Sequence, residues 1–172
     1  MLSDRHLDLL EDNVALAIRI GNLADSSLVA TRIGSTRIVV CASPTYLAAR
    51  GRPERPEDLR DHDCVTFDNL ASPEAWRFVN AKGDFLVPVR SRLTVSTAEA
   101  AIDAAVAGMG LLRMMSYKIE GALQAGALEI VLRPFEPAPW AVSLLYPGQG
   151  PLPLKLRAFV TFAAPRLRAR LA

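Results

Sequence analysis

Two neighbouring stretches of the chain determine its predicted fold: LTVSTAEAA at residues 93–101 and AGMGLL at residues 107–112. Together they have the pattern of a strand, a helix, a glycine turn and a second strand. Ser96 and Glu99 have the spacing of a capping box, which predicts a helix from Thr97 to Ala107. The free N–H groups and positive dipole at the start of such a helix bind anions and small polar ligands. The pattern therefore predicts a binding corner where the first strand ends.

The rest of the chain alternates short apolar runs with helical segments. Pro165 is predicted to kink or interrupt the final helix, because proline lacks a backbone N–H group. Such alternation is typical of an α/β fold with a partly parallel sheet, in which ligands bind beyond the carboxyl ends of the strands. The remaining predicted strands cover 14–20, 37–42, 64–67, 76–79, 85–95, 128–132 and 141–146, and the remaining predicted helices cover 44–50, 56–59, 116–125 and a segment that begins near residue 154.

The composition limits the classes of function. The 172 residues are 51% hydrophobic and 22% charged, which is enough for a packed core. A net charge of +2 is too small to indicate a nucleic-acid-binding surface. The one basic cluster, Arg157, Arg166, Arg168 and Arg170, is interpreted as a solvated helix face. No apolar run reaches the length that spans a bilayer, so no membrane partner is predicted.

The cysteines and the N-terminus indicate a compartment. Cys41 and Cys64 both lie in apolar stretches, where they are interpreted as small buried hydrophobic residues. Two isolated cysteines do not form a disulfide framework, which favours a reducing compartment. The opening MLSDRH is polar and lacks the apolar region of a signal peptide. A cytoplasmic location is therefore predicted.

No pattern in the sequence indicates catalysis. His6 and His62 lack metal-ligand spacing with either cysteine. The nucleophile elbow G-x-S-x-G, the P-loop and G-x-G-x-x-G are all absent, and the glycine pair at 108–110 is too short for a dinucleotide-binding loop. We therefore predict no enzymatic activity, no cofactor and no metal.

Five segments of the chain form an ordered set. They are DLLEDNVALAIRIG at 8–21, VCASPTYL at 40–47, the unit at 96–110, AGAL at 125–128 and RAFV at 157–160. In this order they resemble the C-terminal effector-binding domain of LysR-type transcriptional regulators. The resemblance covers nearly the whole chain, and its specificity comes from the ordered set rather than from any one motif.

The resemblance implies a fold like that of the type 2 periplasmic binding proteins, with two α/β lobes joined by crossing strands. Residues 1–42 and 143–172 would form an incomplete first lobe, and residues 43–142 would form the second lobe. A small anionic or polar effector would bind in the cleft between the lobes without being chemically changed.

The family pattern begins with segments that are not recognised in this chain: a winged helix-turn-helix, a linker helix and the opening elements of the first lobe. We expect the chain to be a fragment, a truncated reading frame or a decayed relative, with DNA contacts only through an absent N-terminal domain. Lacking these elements, the first lobe would expose unpaired strand edges. The resemblance also implies a homodimer or a higher homo-oligomer.

Ser96 and Thr97 are the main candidates for effector binding. In the functional interpretation, a hydroxyl and the helix N–H groups hold a carboxylate or hydroxyl of the effector. In the structural interpretation, the hydroxyl only caps the helix, which contributes about 1 kcal/mol to stability. Both can hold, since one hydroxyl can cap while the other faces the ligand.

Four further residues complete the predicted effector-binding set. Arg113 follows the glycine turn and can pair with a carboxylate through two parallel hydrogen bonds, although a surface salt bridge is an alternative. Arg19 ends the first strand, where a structural ion pair is the alternative. Ser43 and Gly110 are the remaining members of the set.

Two other functions compete with that of a regulator domain. A solute-binding protein of a transport system has the same two-lobe architecture, but it requires a secretion signal, which is not visible. A small α/β enzyme is disfavoured because no nucleophile, base or metal constellation is present.

Overall fold

The structure, a computed structural model, describes residues 15–21, 28–67, 74–148 and 153–171. His6 and positions 8–14 of the family-like segment lie outside these residues. The chain divides into two compact units: unit 1 is Met1–Thr36 with Pro139–Ala172, and unit 2 is Arg37–Ala138. These divisions fall earlier than the predicted lobe boundaries at 42/43 and 142/143. The physical reason at the first division is that the strand at Ile38–Ala42 pairs on both sides with strands of unit 2.

Unit 1 is built on a three-stranded antiparallel sheet. Its strands are β1 (Ala17–Ile20), β2 (Leu28–Thr36) and β10 (Trp140–Pro147), with β10 in the centre. The long helix α4 (Leu154–Leu171) packs against β2. Their shared core contains four buried residues: Ile33, Val142, Leu144 and Ala164.

Helix α4 continues through Pro165, so the predicted interruption does not occur. Proline removes one backbone hydrogen bond from a helix interior. Packing of neighbouring residues, including Val160, Ala164 and Leu167, against the sheet holds the helix in place despite this loss.

Unit 2 contains a five-stranded mixed sheet and a separate two-stranded hairpin. Their strands are β3 (Ile38–Ala42), β4 (Asp63–Phe67), β5 (Ala75–Asn80), β6 (Gly83–Pro88), β7 (Arg90–Val95), β8 (Leu111–Met115) and β9 (Glu129–Val131). The sheet has the order β7-β4-β8-β3-β9, and β5 and β6 form the hairpin. Strand β4 runs parallel to β7 and β8, whereas β3 runs antiparallel to β8 and β9. The helices are α1 (Pro44–Arg50), α2 (Ala98–Val106) and α3 (Glu120–Gln124), with short 3-10 helices at Pro56–Asp61, Ser116–Lys118 and Arg133–Phe135.

Both faces of this sheet are covered, which explains why nearly all residues of its central strands β4, β8 and β3 are buried. Leu112 and Met114 of β8 face the core that α2 completes. Leu111 faces the other core, together with Trp76 of the hairpin. Helix α2 and the β5–β6 hairpin therefore lie on opposite faces of the sheet.

The predicted helix at 116–125 is divided into two pieces in the structure. A 3-10 turn at Ser116–Lys118 precedes α3, and Ile119 between them has φ −102° and ψ 4°. The Ile119 side chain is completely buried, so its burial accompanies the break in the helix.

Candidate functional site

Unit 2 has two edges that are defined by its parallel strands. At the carboxyl edge, β4, β7 and β8 end at Phe67, Val95 and Met115. At the amino edge, the same strands begin. Because β3 is antiparallel to β8, its last residue, Ala42, lies at the amino edge. Ligands in open α/β sheets bind at the carboxyl edge, so this edge is the candidate site.

Ser96 and Thr97 lie at the carboxyl edge, and both are exposed. Thr97 is the N-cap of α2, and its Oγ1 accepts a hydrogen bond from the N–H of Ala100 at 3.3 Å. The predicted capping box of Ser96 and Glu99 is therefore wrong, because Ala100 occupies the position three residues after the cap. The cap lies one residue later because Thr97 still has extended backbone angles, φ −122° and ψ 144°.

The first turn of α2 contains backbone hydrogen-bond donors. The first N–H groups of a helix have no partner within the helix, apart from those that a cap satisfies. Capping by Thr97 satisfies the N–H of Ala100 only, and the N–H groups of Ala98 and Glu99 precede it. Glu99 places a carboxylate in the same turn, which offsets part of the positive helix dipole. The corner therefore favours a polar ligand of modest negative charge.

Three more residues at the carboxyl edge were missed by the sequence analysis. Ser116 follows β8 directly: its N–H donates to the Arg37 carbonyl at 2.8 Å, and its Oγ accepts from the Arg37 N–H at 3.2 Å. Arg37 also forms an ion pair with Glu136 at 2.7 Å. Ser116 directly follows β8, just as Ser96 directly follows β7. This shared position after a strand was the sequence pattern that could have predicted Ser116 as a site residue.

Glu136 is also notable for its second carboxylate oxygen. The side chain is 11% exposed, and Oε1 has no hydrogen-bond partner among the residues that the structure describes. A buried acceptor of this kind normally binds a donor, such as an ordered water molecule. Nothing in the sequence pattern around Glu136 indicated this position.

Ser43 and Gly110 lie together at the amino edge. Ser43 is 2% exposed, and its Oγ caps α1 by accepting from the N–H of Tyr46 at 3.3 Å. A Cβ atom at Gly108 would lie 3.6 Å from the same Oγ. At Gly110 a Cβ would overlap the carbonyl oxygen of Asp63 and lie 2.8 Å from its carbonyl carbon. This edge is a closely packed junction.

Ser43 and Gly110 are separated from Ser96 and Thr97 by the length of α2. The helix has nine residues and begins at the carboxyl edge. With a rise of about 1.5 Å per residue, it extends roughly 13 Å toward the amino edge. The two groups of predicted residues therefore do not contact one small ligand together.

Arg113 is buried inside unit 2. It is 7% exposed, and its guanidinium carbon lies 6.0 Å from the ring centroid of Trp76. Burial lowers the pKa of the Arg113 guanidinium to about 10. The side chain lies on the hairpin face of the sheet, opposite the face that α2 covers, so it does not join the corner at Thr97.

Arg19 is a half-buried residue of β1 in unit 1, where it is paired in register with Ser143. Of the six predicted residues, only Ser96 and Thr97 lie at the carboxyl edge of unit 2.

The thiols provide no reactive group. Burial raises the pKa of Cys41 and of Cys64 to about 12. Only the thiolate is nucleophilic, so both cysteines are unreactive near neutral pH. In the described part of the chain, no three His, Cys, Asp or Glu side chains are close enough together to hold a metal ion. None of the described helices combines the length with the hydropathy that a membrane span requires.

Several known proteins are similar to this chain in sequence and in fold. The family model for the LysR substrate binding domain matches residues 1–168. The chain is 31% identical to an uncharacterized HTH-type transcriptional regulator, YhjC of Escherichia coli K12, over 94% of this chain and 54% of that protein. Among solved structures, the regulatory domain of AphB from Vibrio vulnificus has 29% identity and a TM-score of 0.80, covering 92% of this chain and 78% of that one. The regulatory domain of CrgA from Neisseria meningitidis has 28% identity and a TM-score of 0.78, with 92% and 78% covered.

The chain thus belongs to the LysR substrate-binding domain family, the effector-binding regulatory domains of LysR-type transcriptional regulators. Its fold is that of the type 2 periplasmic binding proteins, and the predicted family and fold class are confirmed. The chain spans about half the length of the curated relatives it matches, with 54% of YhjC covered.

Proposed function

We propose that this domain senses a small polar metabolite for a DNA-binding transcription regulator and that the metabolite binds at the carboxyl edge of unit 2. The observation that carries the proposal is the exposed pair Ser96 and Thr97 at the start of α2. The Thr97 hydroxyl and the first backbone N–H groups of α2 can donate to a carboxylate or hydroxyl oxygen there.

The effector would be bound and released unchanged. The two thiols are held protonated by burial, with pKa values of about 12, and they lie inside the cores of unit 2. Ser43 is a buried capping residue and is not placed to act as a nucleophile. Among the described residues, the corner offers hydrogen-bond donors and no activated nucleophile, which supports binding rather than catalysis.

Regulation would follow from differential binding. An effector shifts a protein between two conformations only as far as its affinities for the two differ. In the intact regulator, which we propose is a cytoplasmic homodimer or higher homo-oligomer, this shift would reach DNA through a separate helix-turn-helix domain. A transport solute-binding protein is not favoured, since YhjC is named as a transcriptional regulator.

A screen of small organic acids tests this proposal. Mono- and dicarboxylic acids and hydroxy acids are added singly to the 172-residue protein, and its thermal unfolding is measured at constant ionic strength. A ligand that binds only the folded state raises the melting temperature. We expect at least one acid to do so and to shift the backbone NMR signals of Ser96 to Ala101 more than those of α1. Absence of any stabilising acid, or shifts centred on α1, would contradict the proposal.

A further inference from the structure

Three arginines converge on one carboxylate at the amino edge of unit 2. Arg50 Nη2 and Arg92 Nη1 lie 3.1 and 3.2 Å from Asp63 Oδ2, and Arg90 contacts Oδ1. The three side chains come from the end of α1 and from β7. Each is at least half exposed, whereas the Asp63 carboxylate is 10% exposed. The guanidinium groups therefore form a solvent-facing surface above a buried anion.

The backbone that carries this carboxylate is held on both sides. The N–H of Asp63 donates to the Tyr46 hydroxyl at 3.0 Å. Gly110 allows the backbone of β8 to approach the Asp63 carbonyl, where a side chain would overlap it. A rigid acceptor reduces the freedom of the three arginines that bind it, so their donors are partly preorganised.

The position of Arg92 depends on an irregularity in β7. Cys64 is opposite Ser91, but the next residue of β4, Val65, is opposite Leu93. Arg92 is therefore the extra residue of a β-bulge, a feature that redirects side chains and occurs often beside functional sites.

Within the ion pairs that the structure describes here, one carboxylate faces three guanidinium groups. Burial alone would raise the pKa of Asp63, but its contacts with Arg90 and Arg50 hold that pKa below the ordinary value. Asp63 is thus ionised at neutral pH, and it offsets one of three positive charges. Unit 2 as a whole contains twelve Lys or Arg and thirteen Asp or Glu residues, so the excess belongs to this cluster and not to the unit.

We propose that Arg50, Arg90 and Arg92 form a binding site for a small oxyanion with phosphoryl or sulfuryl chemistry. A guanidinium fork matches the oxygens of such a group, and its donors exceed what one carboxylate accepts. A dianion balances the two remaining positive charges. The site lies at the edge opposite Thr97, so it does not depend on the proposed effector site.

Sulfate and inorganic phosphate are the probes for this site. The 172-residue protein is titrated with each at about pH 8 by isothermal calorimetry, with sodium chloride holding the ionic strength constant. The variant Arg92→Gln is compared with Arg77→Gln, which removes one charge from an exposed ion pair with Asp84 on the hairpin. We expect wild type and R77Q to bind with equal affinity and R92Q at least ten-fold more weakly. Equal affinities of R77Q and R92Q would overturn the proposal. So would titrations in which sulfate and phosphate release no more heat than sodium chloride does.

Further measurements test the role of the guanidinium fork, the folding of each variant and the source of the bound phosphoryl group. Arg92→Lys keeps the positive charge but loses the guanidinium fork, so we expect its anion affinity to lie between that of wild type and that of R92Q. An affinity equal to that of wild type would overturn the role of the fork. Circular dichroism at the titration temperature identifies a variant that has unfolded, and R90Q then replaces it. A short DNA duplex distinguishes the source of the phosphoryl group: binding of the duplex without binding of free phosphate or sulfate would overturn the assignment to a small ion.

Discussion

The two edges of the unit 2 sheet share one local feature and differ in its surroundings. At each edge a hydroxyl side chain caps a helix with a 3.3 Å bond, Thr97 at the start of α2 and Ser43 at the start of α1. Thr97 is exposed, whereas Ser43 is 2% exposed beneath the Gly108 turn. The same capping chemistry thus produces an accessible corner at one edge and a packed junction at the other. Burial, and not the motif, decides which of the two can hold a ligand.

The largest effect is expected where the amino edge is most closely packed. Gly110→Ala should destabilise the protein by about 3 kcal/mol, because the new Cβ overlaps the Asp63 backbone, which cannot move aside as a flexible side chain would. Gly121→Ala is the control, since nothing lies within 4 Å of its Cβ position in α3. Urea unfolding measures both. A loss for G110A no greater than that for G121A would show that the junction is not tight.

The next largest effect is expected from removing the charge of Asp63 at the amino edge. Asp63→Asn should lower stability at neutral pH by about 2 kcal/mol, because three guanidinium groups lose their counter-charge. The folded pKa of Asp63 lies below its ordinary value of 3.8, so its contribution is complete above that pH and disappears as the pH falls through the folded pKa. Urea unfolding from pH 7 to pH 3 should show the difference between the two proteins narrowing as the pH falls below 3.8. A pH-independent difference between them would contradict this account.

A smaller effect, equal at the two edges, is expected from the caps. Thr97→Ala and Ser43→Ala should each lower stability by about 1 kcal/mol, because each removes one acceptor from a helix N-terminus. Thermal unfolding of the two variants, with Thr97→Ser as the conservative control, measures this. A loss at Ser43 several times larger would mean that its burial under Gly108 contributes more than its cap.

The unit around α2 was accessible from the sequence because its residues carry strong local signals, whereas the fold class as a whole was predicted from the family resemblance. Its apolar spacing and the glycines after it predicted the strand, helix and strand at 93–112, and the observed helix is Ala98–Val106. The exact cap was missed, since Ser96 and Thr97 are adjacent hydroxyl residues and backbone angles alone distinguish them.

The candidate site was less accessible, because it depends on how distant strands pair. Ser43 follows a strand just as Ser96 does, but β3 runs antiparallel to β8, which places Ser43 at the opposite edge. Arg113 lies on the hairpin face because Leu112 and Met114 face α2, and its burial near Trp76 has no local signal. The convergence of Arg50 and Arg92 on Asp63 likewise joins residues that are distant in the sequence.

Effector affinity in the two cap variants tests the central claim most directly. The acid that gives the largest thermal shift is titrated calorimetrically into wild type, T97A and S43A. We expect T97A to bind it about five-fold more weakly, the loss of about one hydrogen bond, and S43A to bind it as wild type does. Equal affinities in all three proteins, or a loss in S43A alone, would contradict an effector site at the carboxyl edge.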